Sequence, residues 1–388
     1  MARRPGSRSA ARTATAPDPV GTAASRTADE FVDVLGRSSI VLCCGTGGVG
    51  KTTSAAAIAF AAAKQGRRAA VVTIDPAKRL ADALGLEGLT NRPARVALPD
   101  TPGELWALML DTKATFDDLV RRHAPSAAQA ERILANSFYR NISGALGGTQ
   151  EYMATEKLFE LVNDPIGADG ASLPPFDLIV VDTPPTRNAL DFLSAPERLT
   201  RLLDNRVFRA LMAPARGGLR VVGAASQLVL RAVGKVIGGD VLADAVAFFQ
   251  AFEGMEAGFR ERAQSVLLLL RNNTTSWVLV TTPRSEAVDE AVFFGTELRA
   301  HGITIAALVA NRMYPDFGPL PTEDSSPAVV RARRGAALAL AHAEALRPLD
   351  ALIGSSPVVR IPLAAKDLHD LASLNAVAAT FLSRSDAQ

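Results

Sequence analysis

Residues 45–53 read GTGGVGKTT and satisfy two phosphate-binding spacings at once. Gly45-x-Gly47-x-x-Gly50 is the spacing of a dinucleotide-binding turn, whereas Gly45-x-x-x-x-Gly50-Lys51-Thr52 is that of a nucleoside-triphosphate P-loop. Either way, the backbone N–H groups of residues 47 to 52 make an anion nest at a helix N-terminus. The two chemistries part at Lys51-Thr52. A dinucleotide turn needs neither an ammonium nor a hydroxyl after its third glycine. A P-loop needs both, Lys51 for the β/γ-phosphates and the Thr52 hydroxyl for Mg²⁺. Gly47, Gly48, Val49, Gly50, Lys51, Thr52 and Thr53 are therefore the candidate ATP-binding set, and hydride transfer becomes the minor alternative.

Two aspartates extend the site. Asp182 closes the apolar run of DLIVVDTPPT, where a P-loop site expects a carboxylate for magnesium, so Thr52 and Asp182 form the candidate metal set. Asp75 ends the run AAVVTID near the edge where ligands sit in open α/β sheets. Two roles are open to it: orienting water in line with the γ-phosphate, or capping a helix that begins at Pro76.

These residues require a strand before the glycine turn and a helix after it. The runs SIVLCCG (39–45), AAVVTID (69–75), ELWALMLD (104–111) and FDLIVVDT (176–183) predict strands. So do SWVLVTT (276–282), IAALVANRM (305–313) and PVVRIPL (357–363). Unbroken apolar runs suit strands buried on both faces, as in a parallel sheet covered by helices. The stretch KTTSAAAIAFAAAKQG predicts the following helix, stopped by Gly66. The fold class is α/β, a doubly wound and mostly parallel sheet. Two long gaps, about 112–172 and 187–274, read as helical insertions forming one subdomain. In the second, Val241, Ala245, Phe248, Phe252, Met255 and Phe259 recur as one helix face. That stripe packs a core or lines a groove for a hydrophobic helix. Residues 315–330 read as a loop.

The chain has 388 residues, 48% of them hydrophobic, and a net charge of +2, which is globular and too nearly neutral to point to nucleic acid. Its only cysteines, Cys43 and Cys44, are strand neighbours facing opposite ways, which excludes a disulfide scaffold and a CxxC zinc site. Residues 1–37 read as a solvated tail without a signal-type apolar core, and residues 384–388 as a second tail. With no uninterrupted apolar run of about 20 residues, a cytoplasmic protein is expected, with a peripheral position at the inner face of a membrane left open.

Together, GTGGVGKTT, DPAKRLADAL, DTPPTRNALDFL, VANRM and IPLAAKDLHDL occur in the order found in the ArsA/guided-entry family of deviant-Walker-A ATPases. The chain resembles that family over residues 38 to 383. The resemblance implies a dimeric, Mg-dependent ATPase whose nucleotide cycle moves a helical subdomain. Asp75 falls on the switch I aspartate that positions the attacking water, and Asp182 on the switch II aspartate that contacts magnesium through water. Asn311 falls on the asparagine reading the adenine edge. Pro362 to Leu368, including Asp367, fall on the loop enclosing the base.

Four departures accompany the resemblance. Thr46 stands where the family carries a lysine that reaches the partner's nucleotide. Arg187-Asn188 replaces a Gly-His pair in switch II, and either Arg187 supplies a charge to phosphate or it is a surface arginine. No CxxC pair exists for a zinc clamp, and no cysteine lies in the helical insertions to bind a metalloid. The expectation is a homodimer, or a heterodimer with a lysine-bearing paralogue, with a hydrophobic helix or membrane-protein client as a further candidate. The alternative is a nucleotide-binding regulatory or structural subunit with little hydrolysis of its own.

Overall fold

The structure is a computed structural model that describes residues 28–74, 79–137, 139, 149–184, 186–205, 244, 246–248, 250–252, 254–315, 326–364 and 370–382. The strands are β1 (Ile40–Cys44), β2 (Arg68–Thr73), β3 (Ala94–Val96), β4 (Glu104–Met109), β5 (Leu178–Asp182), β6 (Thr275–Thr281), β7 (Ile305–Met313) and β8 (Val358–Pro362). Among the described residues they form one sheet in the order β3-β4-β2-β5-β1-β6-β7-β8. All neighbours are parallel except β3 and β4. Every residue of β1, β5 and β6 is buried, as their apolar runs demand.

The seven strands expected from the sequence are present, and β3 is an addition. Its three residues include the exposed Arg95, and Pro93 precedes it. Such a short, charged edge strand has no apolar run to announce it.

Helix α1 (Ala28–Arg37) corrects the boundary of the N-terminal tail, which the sequence placed at residue 37. Phe31, Val34 and Leu35 are buried, and the Phe31 ring lies 5.1 Å from that of Phe381. Their i, i+3, i+4 spacing is one helix face, hidden within a stretch of tail-like composition. The Arg67 guanidinium donates to the carbonyls of Leu35, Ser38 and Asp177, fastening the end of α1 to the sheet. Residues 1–27 lie outside the described residues.

Helix α2 (Lys51–Lys64) follows β1, and its residues from Ser54 to Ala63 are all buried. Alanine on every side lets the helix sit close to the sheet while a further helix, α12 (Leu371–Ala378), packs over it. Between these lie α3 (Arg79–Ala83), α4 (Thr112–His123), α5 (Ala127–Ala135), α6 (Thr149–Asn163), α7 (Thr186–Asp204), α8 (Glu256–Leu270), α9 (Ser285–Ala300), α10 (Pro327–Ala345) and α11 (Asp350–Ile353). Cys43 belongs to the core shared with α2, Cys44 to the core on the other face with α6 to α9. The two cysteines therefore do face apart.

A third core joins Leu119, Val120, Ile133, Tyr139, Met153, Phe248, Met255 and Phe259, binding α4, α5 and α6 to the segment around α8. The aromatic stripe here is core packing, and it is not one continuous helix. Turn residues Phe252, Gly254 (φ +86°) and Met255 separate Phe248 from Phe259 on α8. Val241 and Ala245 lie outside the described residues. The expected loop at 315–330 also ends early. Ser326 caps α10, and Pro327 opens it. No helix among the described residues is long and apolar enough to cross a membrane.

Candidate functional site

The site grows from the carboxyl end of β1, which lies between β5 and β6 where the sheet's connections diverge to either side. Open α/β sheets bind ligands at this switch point. A Cβ on Gly45 would come within 2.1 Å of the Val280 carbonyl oxygen on β6, so only glycine lets the loop leave the sheet there. Gly50 closes the loop at φ +94° as the N-cap of α2, and no side chain caps that helix. A buried helix starting without a cap presents its first N–H groups to an outside acceptor. Cβ atoms on Gly47 and Gly48 would meet open space within 4 Å. The chain thus offers a cradle of backbone donors whose chemistry fits phosphate.

Lys51 is 8% exposed, and its Nζ donates to the Thr46 carbonyl at 2.9 Å across the loop. The Thr52 hydroxyl donates to Asp182 Oδ2 at 2.6 Å. The register explains why: Asp182 pairs with Cys43 on one side and with Thr73 on the other. Thr73 also donates its hydroxyl to Asp182 Oδ2, at 3.0 Å. The sequence reading missed Thr73, although its place two residues before Asp75 on an otherwise apolar run was a usable signal. Thr183 donates through its hydroxyl to the Cys43 carbonyl at 2.9 Å, tying the chain that leaves β5 to β1.

The buried thiols register the field of the site. Burial, followed by the nearby Asp182 charge, raises Cys43 well above the ordinary thiol range, while Lys51 opposes the rise. Burial pushes Cys44 up to about 12. Both are held as neutral groups.

Asn311 stands near the end of β7, and its Nδ2 donates to the Val49 carbonyl at 2.7 Å. Its carboxamide also receives the Arg312 N–H at 2.8 Å, with Arg312 at φ +58°. Asn311 therefore braces the P-loop from the side, besides any contact with a base. Pro362 ends β8 beside Met313, exposed on the same edge. Asp75, Asp367 and Leu368 lie outside the described residues, as do the side chains of Arg187 and Asn188 on α7. The structure thus brings together Gly47 to Thr53, Asp182 and Asn311.

No group of three or more His, Cys, Asp or Glu side chains arranged for a metal exists among the described residues. One carboxylate beside one hydroxyl is the donor set that suits Mg²⁺ carried in with nucleotide phosphates. A separate cavity of about 680 Å³ lies where β6, β7 and β8 begin, lined in part by Glu30, Asp33, Arg271 and His301. It is at the opposite edge of the sheet from the P-loop.

Comparison with known proteins agrees with this geometry. The chain is 30% identical to the protein named ATPase GET3 of Candida glabrata over 41% of this chain and 46% of that one, so the match spans about half of that relative. It is 28% identical to ATPase GET3B of Arabidopsis thaliana over 74% of this chain and 67% of the relative. With ATPase asna-1 of Caenorhabditis elegans it shares 24% identity over 82% and 85% of the two chains. The sequence model of the anion-transporting ATPase family matches residues 38–383. The chain belongs to the anion-transporting (ArsA) ATPase family.

Proposed function

We propose that the chain is a Mg-dependent, ATP-hydrolysing switch of the ArsA/guided-entry type, acting as a dimer whose nucleotide cycle moves the helical layer. One observation carries this reading. The buried Lys51 and the uncapped first turn of α2 stand beside the Thr52–Asp182 contact, a phosphate cradle with a metal-suited pair at its rim. The loop N–H groups and Lys51 would bind the β- and γ-phosphates and stabilise the charge that spreads over the transferred group. Thr52 and Asp182 would hold Mg²⁺, which would neutralise phosphate charge when bound. Asp75 would orient the attacking water as a positioned base. Asn311, Pro362, Asp367 and Leu368 would enclose the base.

The partner is a second copy of the chain or a lysine-bearing paralogue. A membrane-protein or hydrophobic-helix client suits the relatives' type, in the cytoplasm or at the inner face of a membrane. Zinc and nucleic acid have no part in it, since the only two cysteines are buried in β1 and the net charge is only +2.

A second reading, a nucleotide-binding subunit that scarcely hydrolyses ATP, has one observation in its favour. At position 46 the chain has an uncharged threonine whose carbonyl is engaged by its own Lys51.

Thermal unfolding with different ligands tests the binding step. At a hundredfold excess over Kd a ligand stabilises the fold by about 2.7 kcal/mol. Mg-ATP should raise Tm by several degrees and NAD should not. A rise with NAD alone would return the chain to the dinucleotide reading.

A further inference from the structure

Ile74, the last described residue of the second strand's run, is held from two sides. Its N–H donates to the Asp182 carbonyl at 3.3 Å, continuing the pairing with β5. Its carbonyl accepts from Gln150 Nε2 at 3.1 Å. On the β4 side pairing stops one residue earlier, where Leu110 N–H donates to the Thr73 carbonyl at 2.9 Å and the chain then turns into α4. Ile74 is 1% exposed, and a carbonyl buried there without a partner would be costly. A side chain from α6 supplies the bond that no strand supplies.

Gln150 is the second residue of α6, and the rest of that helix is locked into the helical layer. Tyr152 donates to Glu156 at 2.7 Å, and Glu156 accepts from Arg262 of α8 at 2.7 Å. Arg262 lies 3.8 Å from the Phe159 ring centre. Lys157 pairs with Glu160 at 2.9 Å in a setting where both are buried. Ala154, Leu158 and Leu161 face the sheet core, while Tyr152 and Met153 face the helical core. Any displacement of α6 relative to β2 therefore pulls on the Gln150 bond. A peptide group is a rigid plane, so holding the Ile74 carbonyl fixes the direction in which the chain leaves β2 toward Asp75.

We propose that Gln150 is a positioning residue for hydrolysis: its hydrogen bond to the Ile74 carbonyl couples the helical layer to the segment that bears Asp75. The inference rests on the reading of Asp75 as the water-orienting aspartate. Gln150 acts through the peptide group ahead of Asp75, so its loss impairs the chemical step and leaves ATP binding intact.

The test uses the full chain in single-turnover hydrolysis of Mg-ATP, with ATP affinity and Tm measured in parallel. Gln150→Ala and the isosteric Gln150→Glu, which at neutral pH lacks the donor, should each slow hydrolysis by about tenfold to a hundredfold, the scale of a misplaced catalytic group. Gln150→Lys, which restores a donor, should recover most of the rate. ATP affinity should stay within about twofold throughout, and Tm should fall by only a few degrees in Gln150→Ala and Gln150→Glu, the mark of one unpaired buried carbonyl, with the protein still folded at the assay temperature. In an Asp75→Asn background, Gln150→Ala should add no further loss, since the two changes act on one step. An unchanged rate in Gln150→Ala, or equal loss of rate and affinity, overturns the coupling. If Asp75→Asn itself leaves hydrolysis unchanged, it is the underlying assignment of Asp75 that fails.

Discussion

Asp182 Oδ2 accepts the Thr52 hydroxyl at 2.6 Å, and so joins the first turn of α2 to the end of β5. The same oxygen accepts Thr73 from β2 at 3.0 Å. Asp182 is 2% exposed, so a carboxylate with two hydroxyl donors is held in a setting of low polarity at the mouth of the cradle. Under the proposed function, the carboxylate would take up a cation at this point.

Asp182→Asn keeps the shape and removes the charge. Wild-type protein should gain more Tm from ATP with Mg²⁺ than from ATP with a chelator. In the variant that difference should vanish, and hydrolysis should fall by about a hundredfold or more, as expected on losing a metal that stabilises transition-state charge. Calorimetry with and without Mg²⁺ checks it. A metal-dependent gain that survives in the variant would remove Asp182 from the site.

Gly50→Ala and Gly47→Ala should behave differently. At position 50 the backbone has φ +94°, and a Cβ would come within 2.2 Å of Asn311 Nδ2. Left-handed strain alone costs about 1–3 kcal/mol, and the clash would push Asn311 off the Val49 carbonyl. At position 47 a Cβ would meet open space. Urea unfolding should show Gly50→Ala destabilised by about that amount and unable to bind ATP. Gly47→Ala should fold normally and lose nucleotide affinity alone.

Thr46→Lys addresses the uncharged position in the loop. If hydrolysis waits for a cation from a partner, the lysine should raise the steady-state rate of the purified chain, by up to about a thousandfold on the scale of an arginine finger. The ATPase assay should be run with sedimentation alongside, since the effect requires a dimer. A wild type already fast and unmoved by the lysine would contradict the second reading and bring Arg187 forward for substitution.

Much of this was legible in the residue types. The apolar runs marked seven strands, of which β1, β5 and β6 are buried at every residue, and GTGGVGKTT marked a loop whose backbone requires glycine at positions 45 and 50. Short-range signals failed where tertiary contact decides. Strand β3 has three residues and survives by pairing with β4. Helix α1 owes its place to Phe381 and Arg67, both distant in sequence. The same holds within the site. Thr73 reaches Asp182 across 109 positions, and Asn311 reaches Val49 across 262. Gln150 sits in a polar stretch with no pattern, and only the meeting of α6 with β2 gives it a role.

Cys44 makes a prediction about pH. Burial raises its thiol from 9.0 to about 12, so the fold favours the neutral form. The stability this group contributes is whole below the unfolded value and is lost as pH rises from there through the folded one. Urea midpoints should therefore decline above about pH 9, less steeply in Cys44→Ala. At about pH 8 both thiols should resist a disulfide reagent in the native protein and react in denaturant. Rapid labelling of the native chain would contradict the burial of β1.

The central claim is that this chain hydrolyses ATP through Asp75. The most direct measurement is single-turnover hydrolysis of Mg-ATP with enzyme in excess, comparing wild type with Asp75→Asn after ATP binding by both has been verified. The account predicts that the wild type converts bound ATP to ADP and phosphate, and that Asp75→Asn binds ATP but is slower by about a hundredfold or more, the scale of a lost general base. Equal rates in the two proteins, or bound ATP that neither converts, would contradict it.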